Sequence, residues 1–185
     1  TKFYPRSFNM GIHRKVFEAI GGMGGLRHGQ DMEFSARIYR HGYKVGLIPD
    51  AFVYHKRRTS LRKFFKQIFN WGVARVNLGR MDPQLLKPVH FLPMLIVLGL
   101  ALVILLSLFW PLARVLLLLA LAGVLTIALL AYTQSFLRYR SLKVSLLAVV
   151  TLLTQVFAYG AGMASGWLQV LRGGTAKGFT RNYYR

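Results

Sequence analysis

Three long stretches of this chain carry almost no charge, and they constrain its fold more than any other feature. Residues 91–110 contain no charged side chain, and at the helical rise they cover about 30 Å, one hydrocarbon core. Pro111 marks a boundary, and 112–132 supply a second apolar run whose one charge, Arg114, stands near its start and can snorkel to the interface. Residues 144–171 form a third uncharged run. At about 42 Å it must tilt, kink or enter the headgroups. The spacing predicts an all-α region of about three transmembrane helices, with Arg138, Arg140 and Lys143 as a short basic loop before the last. Within that last run, Ala158, Gly162 and Gly166 recur every four residues, which puts small side chains on one face for close packing against the first two helices.

The rest of the chain is of a different character. Residues 1–89 hold all five acidic residues, and 17 of the 25 Lys and Arg precede the first apolar run. A net charge of +20 would point to nucleic acid in a soluble protein. Beside long apolar runs it points instead to the cytoplasmic face of a membrane, where cations meet anionic headgroups. Nucleic acid is therefore not the expected partner; membrane lipid is. The expected localisation is the cell (inner) membrane, multi-pass, with 1–89 cytoplasmic. Three complete spans would then put the basic tail, 173–185, outside, against the positive-inside rule, unless the third segment is re-entrant or broken. The absence of cysteine excludes disulfides and thiolate chemistry. The chain opens on Thr1 with no targeting segment, so it reads as part of a longer protein.

Within 1–89 the pattern alternates. Residues 8–12 have strand character, and 14–20 read as a short helix stopped by Gly21 and Gly22. The glycine-rich 21–25 lacks the Lys-Ser/Thr ending of a P-loop and reads as a loop. A helix from Asp31 to Arg40 can be capped by Asp31 and ended by Gly42. Residues 44–48 and 51–55 read as strands joined at Pro49-Asp50. The alternation predicts α/β architecture. Residues 60–72 form a basic amphipathic helix: Leu61, Phe64, Phe65, Ile68, Phe69, Trp71 and Gly72 share one face, with Arg62, Lys63, Lys66, Gln67 and Asn70 opposite. Its proximity to the first apolar run predicts a place in the membrane interface.

These pieces resemble, in order and spacing, the second half of the catalytic domain of family 2 glycosyltransferases. The residues that carry the likeness are Asn9-Met-Gly-Ile-His-Arg-Lys-Val-Phe-Glu-Ala-Ile-Gly-Gly22, Gly29-Gln-Asp31, Gly42-Tyr-Lys, Pro49-Asp-Ala-Phe-Val-Tyr-His55 and Phe64-Phe-Lys-Gln67. The trailing apolar runs are similar to those of the bacterial membrane-anchored ExoA-like succinoglycan type, which makes cell-envelope polysaccharide. The resemblance implies the C-terminal portion of an α/β GT-A fold, and inverting transfer of a sugar from a nucleotide-sugar donor to a lipid-linked or polysaccharide acceptor. It implies that Asp31 is the general base, since a hydroxyl becomes an effective nucleophile when a carboxylate accepts its proton. Gln30 stands where the family has a second acid. His55 corresponds to a ligand of a divalent metal, Mg or Mn, held mostly by residues outside this chain. Gln67 and Trp71 occupy the place of the acceptor-contacting Gln-x-x-Arg-Trp motif, with altered spacing and no arginine, so processive polymerisation is not implied. No Asp-x-Asp occurs, and the donor-binding half of the domain is not represented. A chain of this kind alone is expected to be inactive. The competing reading is a noncatalytic membrane scaffold subunit of a polysaccharide biosynthesis or export complex, to which the Gln30 departure lends weight.

Overall fold

The computed structural model describes residues 2–24, 26, 28–56, 59–175 and 177. Among these, six α-helices order the chain: α1 (Arg14–Ile20), α2 (Gln30–Arg40), α3 (Leu61–Met81), α4 (Leu92–Ser107), α5 (Pro111–Tyr139) and α6 (Leu142–Leu171). Three short 3-10 turns connect them, at Ser7–Asn9, Pro83–Leu85 and Pro88–Phe91.

No strand forms among the described residues, and this corrects the α/β GT-A expectation. Residues 8–12 are partly a 3-10 turn, while 44–48 and 51–55 run mostly as irregular chain with a turn at 49–50. Their β-branched and aromatic side chains favour extended backbone, but a strand also needs a neighbour to accept and donate its ladder hydrogen bonds. None is present beside them, and Leu47, Ile48, Phe52 and Tyr54 lie exposed.

Three helices are long and apolar enough to cross a membrane: Pro88–Ser107, Pro111–Tyr139 and Leu142–Leu171. Large apolar side chains cover the outside of α4 and α5, and α4 buries none of its residues in the protein. Such surfaces are stable in hydrocarbon and not in water, so the chain associates with a membrane. The second span extends further than its apolar run suggests, through Arg138, and only Arg140 and Ser141 connect it to α6. Arg114, the one charge near the start of that span, donates from Nε to the Ser107 carbonyl at 2.9 Å.

The third segment is a single continuous helix, neither broken nor interrupted. It differs from the other two in what it buries: Ser145, Ala158, Gly160, Gly162, Met163 and Gly166. Its small-residue face is used inside the molecule. A Cβ on Gly160 would overlap the Pro93 carbonyl of α4, and one on Gly162 would overlap the Phe69 carbonyl of α3. The reciprocal position on α3 is Gly72, where a Cβ would strike the Tyr159 carbonyl. Two glycines thus let the α3 and α6 backbones touch. Around them Val73, Val76 and Met163 form a buried cluster, joined by Phe69, Leu86, Phe91, Met94 and Trp167. The main partner of the small-residue face is therefore α3, with α4 second. Arg181 and Arg185 of the basic tail lie outside the described residues.

The smaller helices dock on this frame. Ile20, Phe34 and Ile38 pack α1 against α2, and Ala36, Leu78 and Leu85 pack α2 against α3. Gly29 precedes α2 with φ +81°, and a Cβ there would come within 2.8 Å of the Leu78 Cδ1. That glycine fixes how closely the amino end of α2 approaches α3. The Arg37 guanidinium closes the α1–α2 junction by donating to the Ile20 and Gly22 carbonyls and to both Glu33 carboxylate oxygens.

Candidate functional site

Between the amino end of α2 and the flank of α3 lies a cleft of about 980 Å³, ample for a substrate the size of a sugar nucleotide. Its walls come from residues 6–8, the 28–32 turn into α2, the extended 53–56, one face of α3, and Tyr159 of α6.

All five residues singled out in the sequence line this cleft: Gln30, Asp31, His55, Gln67 and Trp71. Gln30 is the first residue of α2. Asp31 stands in the first turn, where a carboxylate is favoured by the helix dipole, but the N-cap is Gly29. The expectation that Asp31 caps the helix is thus corrected. One Asp31 oxygen accepts from the following Met32 amide at 3.0 Å. The other meets the Arg6 guanidinium at 3.5 Å, and the Asp31 side chain keeps 15% of its surface open. The carboxylate is held without being consumed by capping.

His55 stacks flat on Phe8, with centroids 4.4 Å apart and planes 8° apart. Among the described residues no three His, Asp or Glu side chains converge on one point. The lining therefore does not make a metal-binding set by itself.

The α3 wall is a stripe. Lys63, Gln67, Trp71 and Arg75 follow at intervals of four and all line the cleft, as side chains on one helix flank must. The helix does not stop at Gly72 as the amphipathic pattern suggested; it continues to Met81, because that glycine serves the approach of α6. Asn70, assigned to the water-facing side, is buried.

Arg75 is the residue that sequence reasoning missed. Its Nη1 donates to the Leu85 carbonyl at 2.9 Å, and its Nη2 lies 3.7 Å from the Met32 sulfur. It enters none of the ion pairs among the described residues. The usable signal was the four-residue recurrence itself, which passes from Lys63 through Gln67 and Trp71 directly to Arg75.

The charge of the lining is lopsided. Arg6, Lys56, Lys63 and Arg75 face a single carboxylate, Asp31. A cleft with this balance attracts anionic ligands, and its low-dielectric walls strengthen that attraction. What the arrangement can do chemically is hold an anion and offer one carboxylate to accept a proton.

A family model described as Glycosyl transferase family group 2 matches residues 8–164, from the first cleft wall through most of α6. No curated protein and no solved structure matches the chain.

Proposed function

This chain belongs to glycosyl transferase family group 2, and from that premise we propose that it moves a sugar from a nucleotide-sugar donor to a lipid-linked or polysaccharide acceptor, with inversion, at the cytoplasmic side of the cell membrane. The observation that carries the reading is the position of Asp31. It is a mostly buried carboxylate, one oxygen on the Met32 amide and the other beside Arg6, set in the same cationic cleft as Gln67 and Trp71.

In the proposed step an acceptor hydroxyl passes its proton to the Asp31 carboxylate while its oxygen bonds to the anomeric carbon. The bond from that carbon to the donor phosphate breaks, and the electron pair leaves on the nucleoside diphosphate. Arg6, 3.5 Å from Asp31, orients the carboxylate toward the cleft by holding one of its oxygens. Trp71, 41% exposed, offers an apolar face to a sugar ring, and Gln67 one turn before it offers an amide to the ring hydroxyls. Gln30 borders the same space and supplies a neutral hydrogen-bonding group.

The membrane part of the proposal rests on α3 and α6. The first turns of α3 expose Leu61 and Phe65 beside Arg62, Lys63 and Lys66, a combination suited to the headgroup layer. Tyr159, which borders the cleft, belongs to an apolar spanning helix. A membrane-borne acceptor would thus reach the carboxylate without leaving the lipid surface.

Asp31→Asn tests the mechanism. In the full-length, membrane-embedded enzyme it is expected to leave donor binding intact and to reduce turnover by roughly a hundredfold or more, the usual contribution of a general base. Transfer at the wild-type rate would remove Asp31 from the chemistry.

A further inference from the structure

The floor of the cleft holds two hydrogen-bond donors that the protein itself leaves unused. The Nε of Arg75 and the hydroxyl of Tyr159 are both buried from solvent, and neither has a hydrogen-bond partner among the described residues. The Arg75 guanidinium lies close enough to the Tyr159 hydroxyl to interact with it electrostatically, yet its Nε and that hydroxyl each lack a hydrogen bond of proper geometry among the described residues. A buried donor left unsatisfied is destabilising, so two of them side by side in a substrate-sized cleft mark the place of an acceptor that comes from outside.

We propose that Arg75 and Tyr159 form a phosphate-binding subsite at the floor of this cleft, where α3 meets the membrane helix α6. The inference rests on the cleft being the substrate site. Three features favour phosphate. The Leu85 carbonyl anchors one arm of the guanidinium, which fixes the plane of the fork and leaves Nε to present a directed donor. No carboxylate among the described residues pairs with Arg75, so its charge is available to an anion. Its neighbours Met32, Ala74 and Leu78 are apolar, and a charge-assisted bond there is stronger than one in water.

Two substrates of the proposed reaction carry such a group: the nucleoside diphosphate of the donor, and the phosphate of a lipid-linked acceptor. The shared chemistry is a phosphate ester. Because Tyr159 belongs to an apolar helix, the subsite is open to either source, and the experiment separates them.

The test uses the full-length enzyme in lipid nanodiscs with two probes, uridine diphosphate and an isoprenyl monophosphate, and compares the wild type with Tyr159→Phe and Arg75→Gln. Tyr159→Phe removes only a hydroxyl without a hydrogen-bond partner among the described residues, so thermal stability is expected to hold, and the variant reads binding alone. For the probe that occupies the subsite, loss of the hydroxyl is expected to weaken affinity about fivefold to tenfold, and loss of the guanidinium about tenfold to a hundredfold. A loss confined to uridine diphosphate assigns the subsite to the donor. A loss confined to the isoprenyl phosphate assigns it to a lipid-linked acceptor. If Arg75→Gln is unstable because the Leu85 anchor is gone, Tyr159→Phe still decides the matter. The proposal is overturned if the wild type binds neither probe, or if a stable Tyr159→Phe variant binds both as tightly as wild type. A transfer assay with Asp31→Asn keeps the questions apart: transfer that depends on Asp31 but not on Tyr159 would leave the function standing and the subsite refuted.

Discussion

Adding one methyl group at Gly162 should separate the membrane helix from the cleft. In the native chain the Gly162 position faces the Phe69 backbone of α3. An alanine Cβ there would overlap the carbonyl oxygen and lie 2.8 Å from the carbonyl carbon and 3.0 Å from Cα. Backbone atoms cannot rotate away as a flexible side chain would, so α3 and α6 must move apart by at least several tenths of an ångström. A gap of that order forfeits a quarter or more of the dispersion energy at each contact, and the contacts at stake are those of Val73, Val76 and Met163. Overpacking of this kind costs about 1–3 kcal/mol, which on the scale of a chain this long lowers the melting temperature by roughly 2–12 °C. The assay is thermal unfolding of Gly162→Ala in nanodiscs, with Gly123→Ala as the control. Gly123 lies in the middle of α5 with nothing within 4 Å of its Cβ position, so the same methyl there meets lipid and should cost nothing. A Gly162→Ala protein that melts with the Gly123→Ala control would refute the close approach, and with it the account of how Tyr159 comes to border the cleft.

Arg37→Ala should destabilise the α1–α2 unit by about 3 kcal/mol, the scale of breaking a largely buried pair, because among the described residues it leaves the Glu33 carboxylate with Arg40 alone, at 3.8 Å, and frees two backbone carbonyls; chemical denaturation reads it, and no change would show the pair to be ornamental. A single cysteine at Ser60, introduced into this cysteine-free chain, should resist an impermeant thiol reagent in intact cells and react after lysis. Labelling in intact cells would reverse the proposed orientation. A spin label at Phe65 should report lipid while one at Lys66 reports water, and equal water access at both would take α3 out of the membrane interface.

What could be read from the sequence, and what could not, divides along the range of the forces involved. The spans were legible because lipid selects on composition alone: a run without charge is a run that hydrocarbon will accept. Helix α1 was legible to the residue because Gly21 follows it and helix termination is a local event. The strands were not, since 44–48 and 51–55 advertise only an extended preference, and pairing is decided by neighbours far away in the chain. Gly72 misled for a related reason. Read locally, a glycine at the end of an amphipathic stretch stops a helix. Its real role is to admit the Tyr159 carbonyl, and that depends on a residue 87 positions later. Stopping the helix at Gly72 also concealed Arg75.

The same distinction explains why the candidate site was partly visible. Gln30 and Asp31, His55, and Gln67 with Trp71 lie in three separate segments, and the only thing that made them a set in the sequence was a family's order of motifs. In the structure they become a set through packing: Gly29 seats the start of α2 on Leu78, and Leu78 in turn lies on the same helix as Gln67, Trp71 and Arg75. The helix that carries the cleft-facing stripe is thus held on one side by the segment bearing the carboxylate and on the other by a membrane helix. If α3 moves, the carboxylate, the aromatic platform and the cationic floor all lose register together. A substitution at Gly162, which touches no substrate, is therefore expected to lower turnover as well as stability, whereas Tyr159→Phe should lower phosphate affinity and leave stability alone. The two responses differ because one glycine sets the position of an entire wall, and one hydroxyl serves only what the wall encloses.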